Sequence, residues 1–229
     1  MPENLRTTLA FLRELRDNNS KAWFERNRAQ YTEARSAFES FITDLIARFD
    51  AVDDLGDVTT KECVSRMNRD IRFSRDKSPY AVSMSAVLAR GGRKHAGRSY
   101  YIHIQPDDNS LIGGGSYAPT PQELDQLRAA IAADSRELRR IISEDRFIRY
   151  FGGLSGEALK TAPQGYPKTH PAIDLLRLKQ FLAGHTMSDA QVLADDAVSM
   201  ALDVCAALKP FLTYLQTTVG APATVLDRG

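Results

Sequence analysis

The sequence predicts an α+β fold, an antiparallel meander sheet of about four strands packed by N-terminal and C-terminal helices. Three observations point there. Apolar residues recur at three-and-four spacing through roughly the first fifty positions, then at a spacing of two from about Lys61 to Tyr117. Capping boxes at Thr120 and Ser188 then mark helix starts after the sheet.

In the first helix, Leu5, Leu9, Phe11, Leu12 and Leu15 share a face, and Asp17-Asn18-Asn19-Ser20 ends it while offering Ser20 as the next N-cap. A long second helix is expected to about Asp50, with Trp23, Phe24, Tyr31, Ala34, Phe38, Phe41, Ile42, Leu45 and Phe49 as a buried stripe. Glu62 to Met67 reads as a first strand. Tyr80, Val82, Met84, Ala86 and Leu88 give the second, and Tyr100, Ile102 and Ile104 the third. Pro106-Asp107-Asp108-Asn109 is a turn, after which Ser110 to Tyr117 forms a further strand containing Gly113-Gly114-Gly115.

Thr120-Pro121-Gln122-Glu123 opens a helix to about Ala133, and Asp134 to Glu137 opens another to about Tyr150. Gly152 to Pro171 reads as a long loop, Ala172 to Leu182 as a short helix, and Ser188-Asp189-Ala190-Gln191 as the start of a last helical region that Pro210 kinks or splits. No repeat or linker interrupts the chain, so residues 1–219 are expected to form one domain, with a disordered tail over 220–229.

Composition narrows the function classes. A chain of 229 residues with 43% hydrophobic content can bury a sizeable core. Cys63 and Cys205 stand far apart, which disfavours a disulfide framework, a cysteine zinc site and a CxxC redox centre. No apolar run is expected to span a bilayer, and a reducing, cytoplasmic setting follows with no membrane partner. Net charge is +1, yet between Thr60 and Arg98 ten basic residues face three acidic ones, so this stretch is cationic and the remainder acidic. Such a contrast attracts anions.

The cations concentrate from Arg66 to Tyr80. Arg66, Arg69 and Arg72 present planar forks that match a carboxylate or phosphate, and Lys77 adds a compact charge. Asp70 and Asp76 supply acceptors that orient those forks, while Phe73 and Tyr80 can pack on guanidinium or base faces.

These residues, Arg66, Arg69, Asp70, Arg72, Phe73, Asp76, Lys77 and Tyr80, fill every position of an RxxRDxRFxxDKxxY pattern. In this the chain resembles the bacterial "domain of unknown function 2461" family. The opening FLRELRDNNSKAWFERNRAQY, then IGGGSYAP, LKTAPQGY and HPAIDLLRLKQFL extend the resemblance from about Leu9 to Leu215. Ala81 departs from it, since a lysine is expected after Tyr80. The resemblance implies no activity, substrate or catalytic residue.

Weaker signals lie outside the segment. Gly113-Gly114-Gly115 lacks the lysine and hydroxyl of a P-loop, and reads as a strand bulge or a close backbone approach. His103 shares a sheet face with Tyr101 and Gln105, which makes His103, beside Tyr80, a candidate proton-transfer group. Lys160, Tyr166 and His170, with Gln164 and Lys168, sit in the long loop as a candidate lid. His95, His103, His170 and His185 show no metal-ligand spacing, and neither GxSxG nor a dinucleotide fingerprint occurs, so no metal and no cofactor are expected.

Three readings follow. The first is a protein that binds a small phosphate- or carboxylate-bearing ligand through Arg66, Arg69, Asp70, Arg72, Asp76, Lys77 and Tyr80, with or without catalysis. The second is a structural or protein-interaction role in which the same charges form an internal network. The third, least favoured by the near-neutral total charge, is a nucleic-acid-binding module using the basic strip with Tyr100 or Tyr101 as stacking partners. The sequence does not set the oligomeric state.

Overall fold

The computed structural model describes residues 5–72, 74–95 and 99–220. Helix α1 (Arg6–Asp17) buries Leu9, Phe11, Leu12 and Leu15, and Ser20 caps α2 (Lys21–Arg26) by accepting the Trp23 N–H at 3.3 Å. The long second helix of the sequence reading is two helices. Asn27 breaks it, its side-chain amide donating to the Trp23 carbonyl at 2.8 Å, and α3 (Arg28–Ala47) begins afresh. The expected stripe is buried apart from Trp23 and Tyr31, which pack half-exposed against it.

Two strands differ from expectation. Glu62 to Met67 is no regular strand: Thr59 and Glu62 form a reciprocal capping box that starts the one-turn helix α4 (Thr60–Cys63). Only isolated antiparallel bridges follow, Val64 with Ala86 and Asn68 with Tyr80. The sheet proper comprises β1 (Met84–Leu88), β2 (Ser99–Ile104) and β3 (Ser110–Ser116). Its fourth member lies where helix was expected.

After β3 come α5 (Pro121–Ala133), α6 (Arg136–Ser143), α7 (Asp145–Phe151) and α8 (Ile173–Leu176). The helix expected to reach Tyr150 therefore divides at Glu144, and the one expected to reach Leu182 stops at Leu176. Strand β4 (Phe181–Met187) then pairs with β3, Gly113 opposite Gly184, to give four antiparallel strands in the order β1-β2-β3-β4. Capped by Ser188, α9 (Asp189–Val192) leads into α10 (Ala197–Val219), which runs through Pro210. The tail expected to be disordered lies outside the described residues from position 221 onward.

Glycine lets α10 sit on the sheet. A Cβ at Gly114 would collide with the Ser99 carbonyl and come within 2.9 Å of Leu208 on α10. Gly115 has φ +131°, and a Cβ there would meet the Phe181 carbonyl. The triple glycine thus serves close backbone approach.

By length and composition alone α10 is long and apolar enough to cross a membrane, an 18-residue window of it having a mean hydropathy of 1.4. Its composition has a nearer cause: Ala201, Val204, Cys205, Leu208, Phe211 and Leu215 are buried in one apolar cluster shared with α1, α3 and the sheet. Replacing a ring such as Phe211, fully enclosed there, by alanine costs about 3–5 kcal/mol.

Candidate functional site

The Arg66–Tyr80 segment leaves and re-enters the sheet beyond the outer edge of β1. Its ends are pinned by backbone bonds, Ser65 N–H to the Ser85 carbonyl at 2.9 Å, Arg69 N–H to Pro79 at 3.0 Å and Ala81 N–H to Met67 at 2.8 Å. Tyr80 anchors the return. The residue is 7% exposed and its ring stacks on Phe24 at 4.0 Å between centroids, 17° from parallel, while the Asn19 amide both donates to its carbonyl (2.9 Å) and accepts from its N–H (3.2 Å). Tyr80 is therefore spent on packing.

Between those anchors the charges pair locally. Arg69, its side chain 30% exposed, forms an ion pair with Asp76 and donates to the Ser78 carbonyl at 3.2 Å. Asp76 also accepts the Ser78 N–H at 2.9 Å. The Ser78 backbone and hydroxyl bonds, then Arg69, hold the Asp76 carboxyl down at about 2. Arg72 forks Asp70, Nε to Oδ1 at 3.0 Å and Nη2 to Oδ2 at 2.7 Å, which lowers the Asp70 pKa. Lys77 Nζ donates to the Ile71 carbonyl at 3.0 Å. Arg66 and Arg75 are exposed and make no hydrogen bond or ion pair among the described residues. Phe73 lies outside the described residues.

The rest of the basic strip is dispersed. Arg90 pairs with Asp54, and Arg93 donates to the carbonyls of Lys61 (2.9 Å), Glu62 (3.3 Å) and Val64 (2.8 Å), closing the C-terminal end of α4. Arg98 lies outside the described residues. Of the two proposed stacking tyrosines, Tyr100 is buried, its hydroxyl donating to Asp53 at 2.9 Å, and burial with that carboxylate raises its pKa.

His103 projects from β2 on the opposite sheet face from buried Ile102, beside Tyr101 and Gln105 as its period predicted. Its Nδ1 lies 3.1 Å from the Tyr101 hydroxyl and its Nε2 3.0 Å from Gln105 Oε1. The residues assigned to a lid are not brought to the arginine segment. Their loop runs along the far edge of the sheet, Ser155 bridging Leu182 and Ala158 bridging Leu178, three strands from the bridges of Val64 and Asn68. There Tyr166 and His170 meet edge to face at 6.5 Å, His170 Nδ1 accepts the Ala172 N–H at 3.0 Å, and Lys160 is exposed.

The sequence reading passed over a second ionic cluster. Asp189, at the start of α9, accepts the N–H groups of Asp107 (3.0 Å) and Asp108 (3.2 Å) in the β2–β3 turn. Arg13 pairs with both Asp189 and Asp107, and Arg16 with Asp107. The turn residues Asp107 and Asp108 have φ of 65° and 61°, as a tight hairpin requires. Both buried thiols are poor nucleophiles, Cys63 pushed up to about 11 by burial and Cys205 raised further. Among the described residues, no group of three acidic, histidine or cysteine side chains is placed to hold a metal ion.

Compared with known proteins, residues 7–214 match the profile of a family described as "Conserved hypothetical protein (DUF2461)". No curated protein and no solved structure matches the chain.

Proposed function

The chain belongs to the DUF2461 family of conserved hypothetical proteins, and within it we propose that the Arg66–Tyr80 segment binds the phosphate or carboxylate group of a ligand. One observation carries the reading. Both carboxylates of the segment are engaged inside it, by Arg72 and Arg69, while Arg66 and Arg75 stand exposed without a partner among the described residues. An exposed guanidinium retains all five donors for an incoming oxyanion. Arg69 and Asp76 shape the loop, and Asp70 holds the Arg72 fork against its own backbone. Arg66 and Arg75 then supply the positive field, together with Lys77 and Arg72. The bonds from Asn19 and the Tyr80 stack fix where that field is displayed.

The test is thermal unfolding of the purified protein with inorganic phosphate, pyrophosphate, nucleotides, citrate and short oligonucleotides. A ligand present at 100 times its Kd stabilises the native state by about 2.7 kcal/mol, which raises the melting temperature by several degrees. The reading requires such a shift from at least one anion and its loss in Arg66→Ala/Arg75→Ala. Loss of the native fold in Arg69→Ala and Asp70→Ala, with no anion shifting the wild type, would instead establish the internal-network reading.

A further inference from the structure

The Tyr101, His103 and Gln105 side chains form a directed hydrogen-bond chain on the half-open face of β2. Gln105 Oε1 can only accept, so His103 Nε2 must carry a hydrogen to make the 3.0 Å bond. In the neutral ring Nδ1 is then a lone-pair acceptor, and the Tyr101 hydroxyl, 3.1 Å away, donates to it. Both ring nitrogens are occupied, so His103 has no free edge with which to reach a substrate. Tyr101, half-buried at the other end of the chain, is the group left to meet one. A hydroxyl, a histidine that can take its proton and a third group that orients the histidine are the parts of an activated nucleophile.

The surroundings of Tyr101 choose the substrate. Its cross-strand partners are Val87 on β1 and Gly113 on β3, and His103 lies between Ser85 and Leu111. Gly113 in turn faces Gly184 on β4, so the ground beside the tyrosine carries no side chain. None of these neighbours is charged. A dianionic phosphoryl group would find no cation among these cross-strand neighbours, whereas an uncharged ester with a small apolar acyl group suits them.

We propose that Tyr101 is a nucleophile for uncharged acyl esters, with His103 as its proton acceptor and Gln105 as the residue that positions the ring. The Tyr101 oxygen attacks the acyl carbon and forms the new C–O bond while its proton passes to His103 Nδ1. The bond from the acyl carbon to the alcohol oxygen breaks, and the alkoxide leaves with the Nδ1 proton of the imidazolium, whose Nε2–H stays hydrogen-bonded to Gln105 Oε1. Water then hydrolyses the acyl-tyrosine, releasing the acid and restoring the hydroxyl.

The full chain, treated with 4-nitrophenyl acetate, provides the test, with nitrophenol release followed optically and acetylation mapped by mass spectrometry. Tyr117, 73% exposed, is the internal reference for an unassisted tyrosine. Positioned proton transfer contributes at least about 100-fold, so Tyr101 should acetylate about 100-fold faster than Tyr117, or turn over ester in a manner lost in Tyr101→Phe. His103→Gln, which keeps a hydrogen bond but cannot take the proton, should bring Tyr101 to the Tyr117 rate and leave Tyr117 unchanged. Gln105→Leu should slow Tyr101 and Gln105→Glu restore it, an outcome that loss of packing would not give. Acetylation of Tyr101 no faster than Tyr117, without turnover that Tyr101→Phe abolishes, overturns the proposal, as does indifference to His103→Gln.

Discussion

Two ionic clusters in this molecule are built from the same residue types and do opposite work. In the Arg66–Tyr80 segment the ion pairs join residues two and seven positions apart, Asp70 with Arg72 and Arg69 with Asp76. In the cluster of Arg13, Arg16, Asp107 and Asp189 the partners lie 91 to 176 positions apart and come from α1, the β2–β3 turn and the start of α9. Local pairs give a loop its shape and tie it to nothing else. Distant pairs close loops of chain, so their contribution enters the stability of the whole fold. Only the local cluster leaves cations over, and the proposed anion site rests on that surplus.

The contrast is broken most severely at Asp189. Its side chain is 17% exposed and accepts two backbone N–H groups besides Arg13, so Asp189→Ala unties the turn from α9 and should lower unfolding stability by about 1–2 kcal/mol in a denaturant titration. Arg13→Ala removes a more exposed partner and should cost about 0.5–1 kcal/mol by the same titration. If instead Arg13→Ala matched Asp189→Ala, the carboxylate's backbone bonds would be adding nothing and the contrast would rest on ion pairs alone.

In the arginine segment the same kind of change should hardly register globally. Asp76→Ala is expected to leave the denaturant midpoint unchanged, while hydrogen exchange at Ser78 accelerates because that N–H loses its acceptor. A global loss as large as that of Asp189→Ala would make the segment a structural tie. The pH dependence sharpens the point. Because the Asp76 carboxyl lies at about 2, below its ordinary 3.8, its bonds are in place above about pH 4 and are lost as the pH falls toward 2. The Ser78 amide resonance should follow that titration while core amides do not.

How much of this was legible in the sequence follows the same divide between near and far. Ser20, Thr120 and Ser188 announced their helices because a cap is completed within four residues. Thr59 with Glu62 carried the same signal, and it outweighs the strand propensity that had suggested a strand from Glu62. Strand β4 was missed because its alternation falters at Gly184 and His185 and its partner is β3, on the far side of four helices. At the candidate site the Asp–Arg pairings were legible as near neighbours, and the Tyr101–His103–Gln105 row followed from a period of two. The Asn19 tether to Tyr80, 61 positions away, and the placement of Lys160, Tyr166 and His170 along the opposite sheet edge were not. Those depend on how the chain folds back.

Calorimetric titration with pyrophosphate, comparing wild type, Arg13→Ala and Arg66→Ala/Arg75→Ala, tests the central claim most directly. Wild type and Arg13→Ala should bind with equal affinity, and Arg66→Ala/Arg75→Ala should lose at least about tenfold, since each charge-assisted bond contributes about 1.5–3 kcal/mol. Equal binding by all three would contradict the account and take the anion site away from this segment.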